Sequence, residues 1–274
     1  MTMENVFDFS RFWKYFRYDL RQAYSRYGVN LLMLGLMPVF FCVVWSIISL
    51  LLNQGWTTPD IGFRIGFFWV PFIALCIFFP SKLYGHLTDR RPGSEWLLIP
   101  ASRLEKFLSM MLISLFVIPV AFLLLYVCAD GLLSLVIPDY GTALVSLNLN
   151  QILAEKAEGI IRLTGGGFWL LWMMAAEYIL VFLLGALCFR KAKVGYTILV
   201  LMGLGFLTSI LGTLLGLPML GPAMDMDEEK VEAMALQFVE HADFYVNLFL
   251  SLRLLILGGG LSLAIWFRLK ALKH

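Results

Sequence analysis

Residues 31–52 read LLMLGLMPVFFCVVWSIISLLL, a run without one charged side chain, in which only Ser46 and Ser49 are polar. A helix needs about 20 such residues to cross the hydrocarbon of a bilayer. A helix packed on a soluble core would show a polar face at every turn, and this run shows none, so it reads as a membrane span. Five more stretches pass the same test: Ile61–Pro80, Phe107–Cys128, Phe168–Phe189, Val194–Leu217 and Phe244–Phe267. Pro38, Pro71 and Pro119 fall inside the first three spans, where each removes a backbone donor and is expected to kink its helix.

Composition agrees with that reading. Of 274 residues, 60% are hydrophobic and 15% charged, with a mean hydropathy of +0.82. Soluble domains carry about 25% charged residues. The expected fold class is all-α: a polytopic membrane protein with a six-helix transmembrane bundle and an N-terminal amphipathic interfacial helix. The first apolar run is too long for a signal-peptide core and has no small-residue cleavage pattern after it, so it is expected to be retained as a membrane helix. The expected division is 1–30 for the interfacial helix, 31–267 for the six-span domain and 268–274 for a basic tail.

Lys and Arg are distributed unevenly, which sets an expected orientation. With the N-terminus in the cytoplasm, the inner connections hold 16 of the 21 basic residues and the outer ones hold Lys156, Arg162 and Lys230. The inner set is Arg11 to Arg26, Lys82 to Lys106, Arg190 to Lys193, and Arg268 to Lys273. Both termini are therefore expected in the cytoplasm, with the protein in the cell (inner) membrane.

On a helical wheel of residues 9–27, Phe9, Trp13, Phe16, Leu20, Tyr24 and Tyr27 share one face, and Arg11, Lys14, Tyr18 and Arg21 share the other. That pattern predicts a helix at the inner interface, with its aromatic side in lipid and its basic side toward headgroups or a partner. The 81–106 connection predicts one or two helical turns at Ser94–Ile99, and Ser102-Arg103-Leu104-Glu105 has capping-box spacing, so the third helix is expected to start at Arg103. Residues 147–163 and 227–243 read as short outer helices.

Charges inside the spans need partners. Glu177 in the fourth span and Arg253 in the sixth lie at matching depth, which predicts an intramembrane polar pair. Such a pair either fixes helix packing or lines a route. Arg64 and Asp130 form a second expected pair, at the outer ends of their spans and in a wetter setting. Gly62/Gly66 and Gly212/Gly216 have the spacing for close helix approach, and Gly258-Gly259-Gly260 marks a candidate hinge.

Catalytic and ligand-binding signatures are missing. There is no GxxxxGK[ST] and no HExxH, and the four cysteines all lie in apolar runs without metal or disulfide spacing. No metal or other cofactor and no nucleic-acid partner is expected, and the chain is not expected to be an enzyme. A membrane protein with a docking-like helix and no energy-converting motif reads as a subunit.

The order of elements resembles the membrane (permease) subunit of a type-2 ATP-binding-cassette exporter. The likeness covers nearly the whole chain: an amphipathic helix, six spans, a helical loop after the second span, a tight basic turn and a basic tail. The loop Arg91-Pro92-Gly93-Ser94-Glu95-Trp96-Leu97-Leu98-Ile99-Pro100-Ala101-Ser102-Arg103 is similar to the family's loose pattern of Gly, an acid, leucines and Pro-x-Ser-Arg. The resemblance implies a coupling helix that meets a separate ATPase subunit through Glu95, Trp96, Leu97 and Leu98. It also implies a homo- or heterodimer with a second permease subunit. The alternative expectation is a non-transporting membrane scaffold or assembly factor.

Overall fold

The computed structural model describes residues 7–52, 55, 57–59, 61–88, 96, 98–137, 140–141, 167–224, 248, 251–253 and 255–271. The described residues are helical with no strand. The helices are α1 (Phe9–Gly35), α2 (Met37–Leu51), α3 (Ile61–Gly85), α4 (Arg103–Val136), α5 (Gly167–Cys188), α6 (Lys193–Met224) and α7 (Ser251–Ala271). Among them, four are long and apolar enough to cross a membrane, and the bent pair α1–α2 makes a fifth. The expected outer helices at 147–163 and 227–243 lie outside the described residues.

Local chemistry explains the boundaries. Asp8 caps α1 by accepting from the Ser10 amide at 2.8 Å. α1 then runs unbroken to Gly35, so the boundary expected at residue 30 falls inside a helix. The break comes at Leu36, ahead of Pro38 in the first turn of α2, and the two helices meet at a 41° bend. α4 begins with both halves of the Ser102/Glu105 capping box in place. It widens into a π turn at Ile113–Val117, immediately before Pro119, whose ring would strike a carbonyl of an unbroken α-helix. α3 keeps Pro71 and Pro80 inside one helix, and α7 runs through Gly258–Gly260 without a break.

α3, α4 and α5 form the centre. Phe72, Leu75, Phe122, Ile179, Leu183 and Leu187 are buried there together with Ile265 and Leu269 of α7. Phe68, Phe72, Phe122 and Tyr126 pack ring on ring between α3 and α4. Close approach is made at Gly35 and Gly185, and of the four glycines with GxxxG spacing Gly66 alone has described surroundings. A Cβ on Gly35 would lie 2.5 Å from Leu125 Cβ, and one on Gly185 would strike the Thr197 side chain, whereas one on Gly66 would meet nothing. The turn from α5 into α6 holds Ala192 at φ 44°, a left-handed conformation that shortens the connection.

Five helix ends and the start of α1 meet at one end of the bundle, here called the basic end. Three of its cations donate to carbonyls of the last helical turns. Lys193 bonds Gly85 O of α3, Arg268 bonds Leu187 O of α5 at 3.1 Å, and Arg103 bonds Lys270 O of α7 at 3.3 Å. The orphan carbonyls and negative dipole of a helix C-terminus favour such donors.

Candidate functional site

α1 is fastened to the basic end by its stripe Phe12, Tyr15, Asp19 and Ala23, all buried. The strongest link is Arg11 with Glu105. The guanidinium Nη2 lies 2.7 Å from Oε1, and Nε lies 3.0 and 2.8 Å from the two oxygens. The same carboxylate accepts from the amides of Asp8 at 3.0 Å and Ser102 at 2.8 Å. Burial alone would push the Glu105 carboxyl up, but Arg11 and these amides outweigh it and hold it at about 2. This group precedes the apolar stretch that begins at Phe107.

One turn further along, Asp19 accepts from Ser109 Oγ at 2.7 Å and Tyr84 Oη at 3.0 Å, joining α1, α4 and α3. Tyr15 Oη accepts from Trp96 Nε1 at 3.1 Å. Trp96 O in turn accepts from Lys106 Nζ at 2.7 Å, with the ammonium 4.6 Å from the Trp96 ring centroid. Burial, with Arg103 nearby, lowers Lys106 to about 8. A chain of contacts therefore runs from the loop through Trp96 into both α1 and α4.

This arrangement revises several expectations. Of the four loop residues, Glu95 and Leu97 lie outside the described residues. Trp96 is buried and donates to the protein's own Tyr15, which anchors its side chain within the fold. Leu98 is 82% exposed. Phe9 and Trp13 are exposed, whereas Phe16 and Leu20, expected on the same lipid-facing side, are partly buried and pack against the core. Tyr27 turns inward as well, donating to Lys82 O at 2.9 Å. Arg11, expected on the face toward headgroups or a partner, holds Glu105 of the protein's own α4.

The opposite end has its own buried cluster. Arg64 Nη2 lies 2.7 Å from Asp130 Oδ1, with the two side chains 3% and 2% exposed, so this pair is dry where a wetter one was expected. Tyr140 accounts for the dryness. Its hydroxyl donates to Asp130 at 3.0 Å, its carbonyl accepts from Arg64 at 2.9 Å, and its ring lies 3.9 Å under the guanidinium. Along α3 from Tyr84 to Arg64, and along α4 from Ser109 to Asp130, the two clusters stand about 30 Å apart at 1.5 Å per residue. That spacing matches a bilayer's hydrocarbon thickness.

Glu177 and Arg253 come together between α5 and α7, with Arg253 Nη2 3.1 Å from Glu177 Oε2. Their side chains are 16% and 48% exposed, so this pair is the more open of the two. Among the described residues no group of His, Cys, Asp or Glu side chains could hold a metal. Sequence reasoning missed Asp19, Tyr84 and Ser109. The signal available was a lone acid in phase with Phe12, Tyr15 and Ala23, the buried stripe of a helix otherwise rich in cations. Compared with protein-family models, curated proteins and solved structures, the chain matches none.

Proposed function

We propose that this chain is the membrane-spanning permease subunit of an ATP-binding-cassette exporter, moving its substrate with energy from a separate ATPase subunit. In this reading α1–α2, α3, α4, α5, α6 and α7 are six spans, with both termini and the basic end on the cytoplasmic side of the cell (inner) membrane. A second permease subunit, identical or not, completes the transporter. α5 counts as the sixth span on its 22-residue length and apolar sequence. The amphipathic helix of the family is the first part of α1, leaving the membrane as the continuation of the first span.

The observation that carries the reading is the fastening of the 81–106 loop to two spans at once. Leu98 stands outward beside Trp96, while Trp96 is tied to Tyr15 of α1 and Lys106 of α4. An ATPase pressing on Leu98 would move α1 and α4 together, because Arg11–Glu105 and Asp19–Ser109 prevent them from sliding apart. ATP-driven closure of the partner would then tilt the bundle as a rigid-body change. The chain has no ATP-binding motif, so the energy enters through this contact.

The test is purification from the native membrane in mild detergent. The reading expects an ATPase bearing a GxxxxGK[ST] motif to accompany the protein, with ATP hydrolysis in the eluate. A protein that elutes reproducibly without any ATPase contradicts it and favours the scaffold alternative.

A further inference from the structure

We propose that the outward face of α1 between Trp13 and Tyr24 binds anionic phospholipid headgroups in the leaflet at the basic end. Three observations meet there. The first is charge. α1 contains one acid between Phe9 and Gly35, Asp19, and it is turned inward onto Ser109 and Tyr84. Lys14, Arg17 and Arg21 are exposed on the other side. Among the described residues none of the three takes part in an ion pair. Arg11, by contrast, is paired with Glu105, and Arg103, Lys193 and Arg268 donate to backbone carbonyls inside the fold.

The second observation is the aromatic collar. Trp13, Tyr18 and Tyr24 are exposed among these cations, and Arg17 stacks over the Trp13 ring at 5.1 Å. Aromatic rings with one polar edge concentrate at membrane–water boundaries. The third is level and continuity. Asp19 bonds Tyr84, about 6 Å past the apolar stretch of α3 that ends at Pro80. Trp13 to Tyr24 therefore covers about 16 Å of helix around that boundary. The exposed surface of the same helix continues as Val29, Leu32 and Met33, which belong in hydrocarbon. An acidic soluble partner would match the charges but not this merging into an apolar surface. A bilayer with anionic headgroups matches both.

The opposite face of α1 is held by Phe12, Tyr15, Asp19 and the Arg11–Glu105 pair, so the cations are presented on a fixed surface. Anionic lipid bound there would lean on the element that also anchors Trp96.

The test uses the full chain in nanodiscs of phosphatidylcholine with and without phosphatidylglycerol, reading retained lipid by native mass spectrometry at low and raised salt. The wild type is expected to retain phosphatidylglycerol selectively, and less so as salt rises. K14Q/R17Q/R21Q is expected to lose roughly fivefold in affinity per cation, roughly a hundredfold in all. R17K/R21K, which keeps the charges, and R190Q/K191Q, which changes exposed cations elsewhere, are expected to behave as wild type. The proposal is overturned if the wild type shows no selectivity, if selectivity ignores salt, or if the triple variant retains it. It is overturned equally if R190Q/K191Q alone removes selectivity, or if an acidic soluble protein occupies the face while the lipids bind without preference. None of these readouts involves an ATPase or the orientation in a cell, so the exporter reading can fail while this result stands.

Discussion

Replacing Glu105 with Gln tests the fastening of α1 with little change of shape. The side chain is wholly buried, and Gln can still close the capping box through its remaining oxygen to the Ser102 amide. What it loses is the charge-assisted fork to Arg11, and it presents an NH2 group to a guanidinium that has no acceptor to offer. A hydrogen bond to a charged group contributes about 1.5–3 kcal/mol net. Arg11 is 36% exposed, so water takes over part of its loss, and the expected cost is about 2–3 kcal/mol for E105Q. R11Q should cost less, about 1–2 kcal/mol, because the Asp8 and Ser102 amides still serve the carboxylate. The double variant R11Q/E105Q should cost less than the two single variants summed, since neither side then strands a charge. Thermal unfolding in detergent should show E105Q lower by roughly 4–10 °C. Trypsin cleavage after Arg17 should accelerate as α1 loosens. Wild-type unfolding of E105Q, or strict additivity in the double variant, would refute the argument that Arg11 and Glu105 hold α1 in place.

The same pair sets an acid limit. Glu105 is held at about 2 against an ordinary value of 4.5, so its stabilisation is full above about pH 4.5 and is lost as pH falls toward 2. E105Q should lack that component of the acid transition, as read by unfolding curves across pH. D130N strands a buried Arg64 and should cost about 3–5 kcal/mol, and E177Q, which weakens the pairing of an Arg253 inside a span, should cost about 1–3 kcal/mol. Wild-type unfolding temperatures for both variants would contradict the argument that these charges need their partners. G35V drives a branched side chain into Leu125 and should cost about 1–3 kcal/mol, while G66A, facing open space, should stay within about 0.5 kcal/mol of wild type or gain slightly.

The apolar helices were legible in the sequence because the length of an apolar run is a local property. The Arg103 start was legible because a capping box is complete within four residues. Glu177 and Arg253 stood out because a charge in an apolar run has few explanations. Arg11 with Glu105 was not legible. Both sit among other charges outside the spans, and their partners are 94 positions apart in sequence. Asp19 was hidden by the cations around it, although its phase with the buried stripe carried the information. The dryness of Arg64–Asp130 depends on Tyr140, a loop residue whose approach no periodicity reports. The inward turn of Trp96 was likewise a question of packing, since a Trp on a short helix suits a partner or the protein's own core equally well.

The coupling contact itself is tested most directly by a photo-crosslinking amino acid placed singly at position 98 or 96, with the full chain in its native membrane. The account predicts a crosslink to an ATPase subunit from position 98, strengthened when ATP hydrolysis is blocked, and from position 96 only crosslinks within this chain. An ATPase crosslink from 96 with none from 98 would contradict the assignment of Trp96 as anchor and Leu98 as contact, and no ATPase crosslink from either would contradict the coupling loop altogether.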